Sequence, residues 1–318
     1  MTYFTPISYT LKAEYPSDFG EALVKSFRET GFAVLTDHPI PQETIDEALS
    51  AAKAFFMLPD NTKRAYHDPK GGGQRGYTPF GVENAKGAQK ADLKEFWHTG
   101  RGFDTEGADL QAKGMDMAAI MPPTPSVSEI EAFDANTEAL FDAFDETGQS
   151  ILSAIARAIG LEADWFSPRV KQGNSILRLL HYPALTTPPP AGSVRAGAHE
   201  DINVITLLLG AEEAGLEVLH KSGEWLSINP PEGALVINVG DMLQRLTHDY
   251  LPSTTHRVVN PSPERAAHPR YSMPFFLHFA PDVLIEPLPV FVKPGHPAYP
   301  PITAQDYLTE RLQEIGLI

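Results

Sequence analysis

The feature that most constrains this chain is a change of period. Up to about residue 160 the apolar residues recur every three or four positions. Beyond Trp165 they fall into short runs at 176–182, 202–209, 216–219, 225–228, 234–239, 255–259 and 271–279. Pro188-Pro189-Pro190, Gly210, Gly223, Asn229-Pro230-Pro231 and Asn260-Pro261 punctuate them. Short apolar or alternating runs closed by turn residues predict β-strands, and this many at this spacing predict a sandwich or barrel-like fold rather than βαβ units. The earlier part predicts helices over 17–30, 42–56 and about 127–159. Phe19, Leu23, Val24 and Phe27 share a face of the first, which Ser17 and Asp18 are suited to cap. Pro41 introduces the second, with Ile45, Leu49, Ala52 and Phe56 at helical spacing; Gly160 is a natural stop for the third. A short strand is expected at 32–35. The tail from 303 to 317 returns to helix, with Thr303 and Asp306 placed as a capping box. The reading is a mainly β protein with flanking helices: a helical and mixed region over 1–160, packed on a β core over 161–318 that includes the C-terminal helix.

Composition narrows the function. Across 318 residues, 41 Asp and Glu against 25 Lys and Arg leave a net charge of −16. Nucleic acids and anionic membranes need clustered basic residues, so neither is an expected partner. Without cysteine there is no disulfide, thiolate metal site, Fe–S cluster or cysteine nucleophile, which fits the cytoplasm. The first six residues lack a basic segment leading into an apolar one, and the run at 202–209 is interrupted by Asn203 and Thr206. The expectation is a soluble, cytoplasmic protein with neither signal peptide nor membrane span. No GxSxG elbow, P-loop or strand-linked GxGxxG is present. Gly71-Gly72-Gly73-Gln74-Arg75-Gly76 opens a long irregular stretch and reads as a mobile loop rather than a phosphate cradle, since no buried strand feeds it.

Chemistry therefore rests on other side chains. In His199-Glu200-Asp201 the outer residues of an extended segment point the same way, so imidazole and carboxylate can share one metal ion. A third ligand would complete a two-His-one-carboxylate triad, which leaves positions open for non-haem Fe(II) chemistry. His256 begins a predicted strand, whereas His248 stands in a predicted turn. On these residues alone, HxD is more often met as a structural accident than as a metal site, and His256 is as readily a hydrogen-bonded core histidine as a ligand. Arg270 and Ser272, two apart on the next strand, suit a grip on a carboxylate; an arginine facing water at a strand end is the plainer alternative.

Taken together, His199-x-Asp201, then His256-Arg257-Val258 some 57 residues on, then Arg270-Tyr271-Ser272, resemble the iron- and 2-oxoglutarate-dependent dioxygenases, in their isopenicillin N synthase-like branch. Leu179-Leu180-His181-Tyr182-Pro183, Gly215-Leu216-Glu217-Val218 and Ile237-Asn238-Val239-Gly240-Asp241-Met242-Leu243-Gln244 agree. So do Gly31-Phe32, Phe55-Phe56, Gly76-Tyr77 and Asp92-Leu93-Lys94-Glu95-Phe96 in the N-terminal half. Two departures stand out: Glu200 where the family usually has threonine, and Leu180 where many plant members have asparagine. The resemblance implies a double-stranded β-helix, or jelly-roll, with helices packed on one side. It implies Fe(II) held by His199, Asp201 and His256, and the distal carboxylate of 2-oxoglutarate held by Arg270 and Ser272 with help from Tyr182. In an acidic protein, Fe²⁺ and Arg270 would also neutralise that dianion locally. The implied reaction consumes O2, with ascorbate as a reductant, and oxidises a small molecule, by hydroxylation, while releasing succinate and CO2. Tyr77, Phe80 and Phe279 are the candidate pocket walls, with the C-terminal helix around Tyr307 and Leu308 as a lid. Rival readings are an isopenicillin N synthase-like, aminocyclopropanecarboxylate oxidase-like or ethylene-forming oxidase on the same fold. A non-enzymatic β-sandwich binding module is more remote, as is a zinc hydrolase, for which no HExxH is present. Substrate identity and oligomeric state lie beyond these motifs.

Overall fold

The computed structural model describes residues 3–69, 71–82, 92–101, 114–184, 194–209, 215–260 and 263–314. The proline run 188–190, Gly210, Pro261 and the expected last helical turn at 315–317 lie outside the described residues. The first strands are β1 (Ile7–Ser8), β2 (Phe32–Thr36), β3 (Gly76–Thr78), β4 (Glu95–Gly100), β5 (Ile176–Tyr182), β6 (Ala196–His199) and β7 (Ile205–Leu209). They continue as β8 (Leu216–Leu219), β9 (Trp225–Ser227), β10 (Leu235–Val239), β11 (His256–Val258), β12 (Arg270–Ser272) and β13 (Pro274–Leu277), then a small pair, β14 (Leu284–Ile285) and β15 (Ile302–Thr303). A nine-stranded sheet runs β1-β2-β10-β7-β13-β5-β4-β3, with β12 also on β5; a four-stranded sheet runs β6-β11-β8-β9. Phe32, Val34 and Val236 of the large sheet pack with Val218 of the small one, so the two sheets face each other across a core. This is the jelly-roll.

Three helices, α1 (Pro16–Thr30), α2 (Gln42–Phe56) and α3 (Phe133–Ala158), cover the outer face of the large sheet. α1 buries Phe19, Leu23 and Phe27 as its spacing requires, but Pro16 takes the first helical position. Ser17 and Asp18 therefore fall inside the first turn, and no side chain caps it. Gly31, at φ +77°, ends the helix and donates to the Phe27 carbonyl at 2.7 Å, a conformation that costs glycine no Cβ clash. α3 begins at Phe133 rather than near 127, because the Asp134 carboxylate takes the Val127 N–H (3.1 Å) and the Ser126 hydroxyl and folds the preceding segment back on the helix start. The C-terminal helix α4 (Ala304–Glu314) has one half of the expected capping box: the Asp306 N–H donates to Thr303 Oγ1 at 3.1 Å, while the Asp306 carboxylate accepts from the Thr303 hydroxyl at 2.7 Å instead of from its backbone N–H.

Period-two alternation gives the large sheet two faces. Leu207, Ile237, Leu277, Leu177 and Trp97 point to the helices, where Phe144 stacks on Phe275 at 5.5 Å. Their neighbours Thr206, Asn238, Phe276, Arg178 and His98 alternate to the inner face. The run 271–279 divides into β12 and β13 around Met273, and 202–209 becomes a strand only from Ile205. β3, β4 and β6 carry too many polar or glycine positions to read as strands from apolar pattern. Among the described residues, no helix is long and apolar enough to cross a membrane.

Candidate active site

β6 ends at His199 and β11 begins at His256, and the two are cross-strand partners in the small sheet. Asp201 lies two residues beyond β6, where the chain has left the strand, and its backbone carbonyl accepts the Asp241 N–H at 2.7 Å. The carboxylate thus reaches back toward the histidines from a turn, not along the extended segment the motif suggested. Asp201 Oδ1 is 3.8 Å from His199 Nε2 and 3.8 Å from His256 Nε2. One donor atom from each residue lies within 4.8 Å of the others, a grouping unique among the described residues. His248, the alternative third ligand, sits in a turn at φ +46°, outside this group.

The surrounding bonds decide which atoms face inward. His199 Nδ1 meets the Gly197 carbonyl at 2.7 Å and His256 Nδ1 the Thr254 carbonyl at 3.1 Å. A carbonyl only accepts, so each Nδ1 carries a proton, and Nε2 is the ring atom each histidine turns toward Asp201. Asp201 Oδ2 accepts from Thr206 Oγ1 (2.6 Å) and Asn238 Nδ2 (2.7 Å), which leaves Oδ1 toward the imidazoles. Burial, then repulsion from His256, pushes the His199 pKa down to about 4. Burial alone would raise that of Asp201, but His256, His199, Thr206 and Asn238 together hold it below the usual carboxylate range. Two imidazoles that present Nε2 and a carboxylate that presents Oδ1, each oriented through its other atom, fit a divalent transition metal. Glu200, in place of the usual threonine, accepts a hydrogen bond from Thr255 Oγ1 and so joins the two histidine-bearing segments.

Arg270 and Ser272 share one face of β12, and Arg270 is the cross-strand partner of Tyr182. All three are buried, with the Arg270 guanidinium carbon 5.1 Å from the Tyr182 ring centre. A second buried arginine, Arg195, lies 5.6 Å from the same ring. Sequence reasoning missed it, since a lone arginine four residues before His199 carries no sign of its burial.

A cavity of about 680 Å³ opens beside His199 and Asp201. Its floor is the inner face of β4, β5 and β13: Phe96 and His98, Ile176 and Arg178, then Phe276 and, just past β13, His278. Asp92 and Lys94, 2.8 Å apart and buried, form one wall; Asp92 also accepts the Gly197 N–H at 3.2 Å, two residues before His199. Leu308 and Leu312 of α4, the helix expected as a lid, line another side, whereas Tyr307 is buried and is not among the lining residues. The glycine-rich stretch forms part of the wall: the Gly73 carbonyl accepts from His98 Nδ1 at 2.6 Å, and buried Arg75 donates to Asn174 at 2.7 Å. It is neither a phosphate cradle nor wholly irregular, since 76–78 is β3.

None of the three expected pocket walls lines this cavity. Tyr77 donates to Glu95 and packs on Phe55, while its neighbour Thr78 faces the cavity. Phe279 stacks on Phe166, while His278 faces inward. Both expectations are one residue out of register, which in a strand means the opposite face. Phe80 is 44% exposed on the surface.

Two family models match the chain. Residues 7–123 match the non-haem dioxygenase in morphine synthesis N-terminal model, and 173–279 match that of the 2OG-Fe(II) oxygenase superfamily. A 2-oxoglutarate-Fe(II) type oxidoreductase (hxnY) of Emericella nidulans is 33% identical over 291 residues, covering 89% of this chain and 82% of that protein. A crystal structure of a 2OG-Fe(II) oxygenase family protein from Caulobacter crescentus is similar with TM-score 0.88 and 52% identity, over 98% of this chain and 99% of the other. The crystal structure of a full-length Neurospora crassa protein in complex with alpha-KG and thymine gives a TM-score of 0.84 and 28% identity, over 98% of this chain and 96% of the other.

Proposed function

This chain belongs to the 2OG-Fe(II) oxygenase superfamily, and from that premise we propose that His199, Asp201 and His256 are its iron ligands and that Arg270 and Ser272, beside Tyr182, hold the distal carboxylate of 2-oxoglutarate. The enzyme is an Fe(II)- and 2-oxoglutarate-dependent dioxygenase, oxidising a small molecule with O2 and releasing succinate and CO2. Iron supplies the oxygen chemistry, and the protein's task is to position the reactants and exclude water. The Gly197 and Thr254 carbonyls fix the imidazole tautomers, and Thr206 and Asn238 fix the carboxylate. Arg270 brings a buried, always-charged planar fork to the cosubstrate. The observation that carries the assignment is the convergence of two Nε2 atoms and Oδ1, with the remaining polar atom of each side chain bonded elsewhere.

We read the reaction as a hydroxylation and place the chain in the isopenicillin N synthase-like branch; the motif order and the N-terminal match over 7–123 support this. The acidic, cysteine-free composition supports a cytoplasmic location. The test is anaerobic addition of Fe(II) and 2-oxoglutarate, which should give a visible metal-to-ligand band. Alanine at His199, Asp201 or His256 should abolish the band while the melting transition survives. Full activity of His256→Ala would move the third ligand elsewhere. If succinate never formed, Arg270 would pass to the carboxylate of the primary substrate, as in the synthase branch.

A further inference from the structure

The cavity wall holds a histidine to which the iron site gives no task. Leu277 and Phe279 are buried on the helix side, Phe279 stacked on Phe166, which turns His278 between them into the cavity. Its backbone is pinned. The His278 N–H donates to Ser175 Oγ at 3.2 Å, and the Leu277 carbonyl accepts the Val204 N–H at 2.9 Å. Gly173 packs so close that a Cβ there would stand 2.0 Å from the His278 carbonyl oxygen. The ring thus has a fixed place in the wall, yet among the described residues neither of its nitrogens has a hydrogen-bond partner. Burial keeps it uncharged, its pKa pushed down to about 4. A neutral imidazole offers one N–H and one bare nitrogen. Buried polar groups in native proteins are nearly always satisfied, so an unbonded ring on a cavity wall points to a ligand. Gln74 and Thr78 line the same cavity, and Gln74 Oε1 and Thr78 Oγ1 are also buried without a partner among the described residues.

Resting on the iron-site reading above, we infer that the primary substrate carries an uncharged hydrogen-bonding group, of amide, lactam or alcohol type, on an apolar body, and that His278 is the residue that reads it. His199 and Asp201 line the same cavity, so a molecule bonded at His278 lies in the space the triad borders. Ile176, Phe276 and Leu308 supply apolar wall for the rest of it. An acceptor such as Gln74 Oε1 asks for an N–H or O–H, which amides, lactams and alcohols carry and ketones and esters do not. The charged side chains of the wall are already engaged. Lys94 meets Asp92 at 2.8 Å, Arg311 meets Glu314 at 2.5 Å, and Arg178 donates to His98 at 2.6 Å. Glu200 accepts from Thr255 Oγ1, and Asp241 lies within the field of Arg311. A carboxylate or an ammonium would compete with these partners, whereas an uncharged group meets His278 with nothing to displace.

The experiment loads the enzyme anaerobically with Fe(II) and saturating 2-oxoglutarate. It is titrated with four molecules of similar shape: phenylacetamide, phenylacetate, phenethylamine as its ammonium, and isobutylbenzene. Their cyclohexyl counterparts follow; all are of a size such a cavity admits. Thermal shift is read with and without metal, and the visible band is followed in the loaded enzyme. In the wild type the amide should bind more tightly than either ion. In His278→Leu the ratio of amide to hydrocarbon affinity should fall about 2- to 12-fold, the range for one hydrogen bond between uncharged groups. The Fe(II) and 2-oxoglutarate affinities should stay as they are in the wild type. His278→Gln, which keeps a donor and an acceptor, should retain part of the ratio. Should His278→Leu not fold, His278→Met carries the same test. An amide that does not bind, or a carboxylate or ammonium that binds more tightly, overturns the inference. So does a ratio unchanged in His278→Leu, or a loss in that variant of 2-oxoglutarate affinity instead. Absence of the visible band in the wild type would sink the iron-site reading, while the thermal-shift ratio would still decide this one.

Discussion

Asn238→Leu is the sharpest probe of the metal site, because it changes neither a proposed ligand nor a cavity-lining residue. Asn238 is buried on β10 and gives one of the two hydrogen bonds that Asp201 Oδ2 receives. Leucine fills a similar volume and removes the donor. A hydrogen bond to a charged group contributes about 1.5–3 kcal/mol. Thr206 still donates to the same oxygen, so part of the orientation persists, and Fe(II) should bind about 10- to 100-fold more weakly. The pH dependence has a defined sign. Burial raises the Asp201 pKa, and the two imidazoles, Thr206 and Asn238 bring it below the ordinary value. Deleting one of those donors raises it again, so a proton competes better with the metal as pH falls. The deficit relative to wild type should therefore be larger near pH 6 than near pH 8. Anaerobic Fe(II) titration at saturating 2-oxoglutarate, followed at the visible band, measures both quantities. A folded Asn238→Leu protein with wild-type Fe(II) affinity at both pH values would refute the argument that Asp201 is oriented through Oδ2.

Arg270→Lys should raise the apparent KM for 2-oxoglutarate about 10- to 150-fold and leave Fe(II) affinity little changed, because it loses the planar fork but keeps the charge; steady-state succinate assays with metal titrations check this. His278 is held neutral, its pKa pushed down to about 4 by burial. Between there and the unfolded value of about 6.5 the unfolded chain binds the extra proton, so stability is complete above that window and falls by about 3 kcal/mol through it; urea midpoints from pH 8 to pH 4 should show a shallower loss in His278→Gln. Gly20→Ala would put a Cβ 2.6 Å from the Ala154 carbonyl oxygen on α3. The two helices must then move apart, at about 1–3 kcal/mol, more than the ~1 kcal/mol gained in helix propensity, so the urea midpoint should fall.

How much of the fold could be read in advance follows from what burial rests on. Where it rests on apolar side chains, as in β5, β7, β8 and β10, the runs mark the strands to within a few residues. β4 escaped because three of its buried positions, Glu95, His98 and Thr99, are polar, and the first two are satisfied by groups remote in sequence. Glu95 is bonded by Lys63 (2.7 Å), His181 (2.7 Å) and Tyr77, and His98 by Gly73 and Arg178. Burial would raise the Glu95 pKa, yet His181, Lys63 and Tyr77 hold it below the usual value. A charged residue with such partners belongs in a core, but nothing local in the sequence says so. Tyr77 and Phe279 failed as pocket walls for a related reason: strand period was available, but which parity faces the cavity depends on the sheet packed against it.

The same dependence separates the legible part of the site from the rest. His199, Asp201 and His256 stand out because a metal ligand set needs particular residue types at a spacing the strands can close. The groups that orient them do not. Gly197 and Thr254 act through backbone carbonyls, which every residue has. Thr206 and Asn238 look like ordinary polar interruptions of apolar strands. What gives them their task is the β10–β7 register, in which Asn238 and Thr206 are cross-strand partners. That register points both side chains to the inner face at the same level, so one carboxylate oxygen can receive both donors. A shift of one residue would send Asn238 to the helices, where an unbonded amide is costly, and would strip Asp201 of a donor. Burial on the helix face, by Leu235, Ile237 and Val239, selects the register and thereby fixes the geometry of the site on the other.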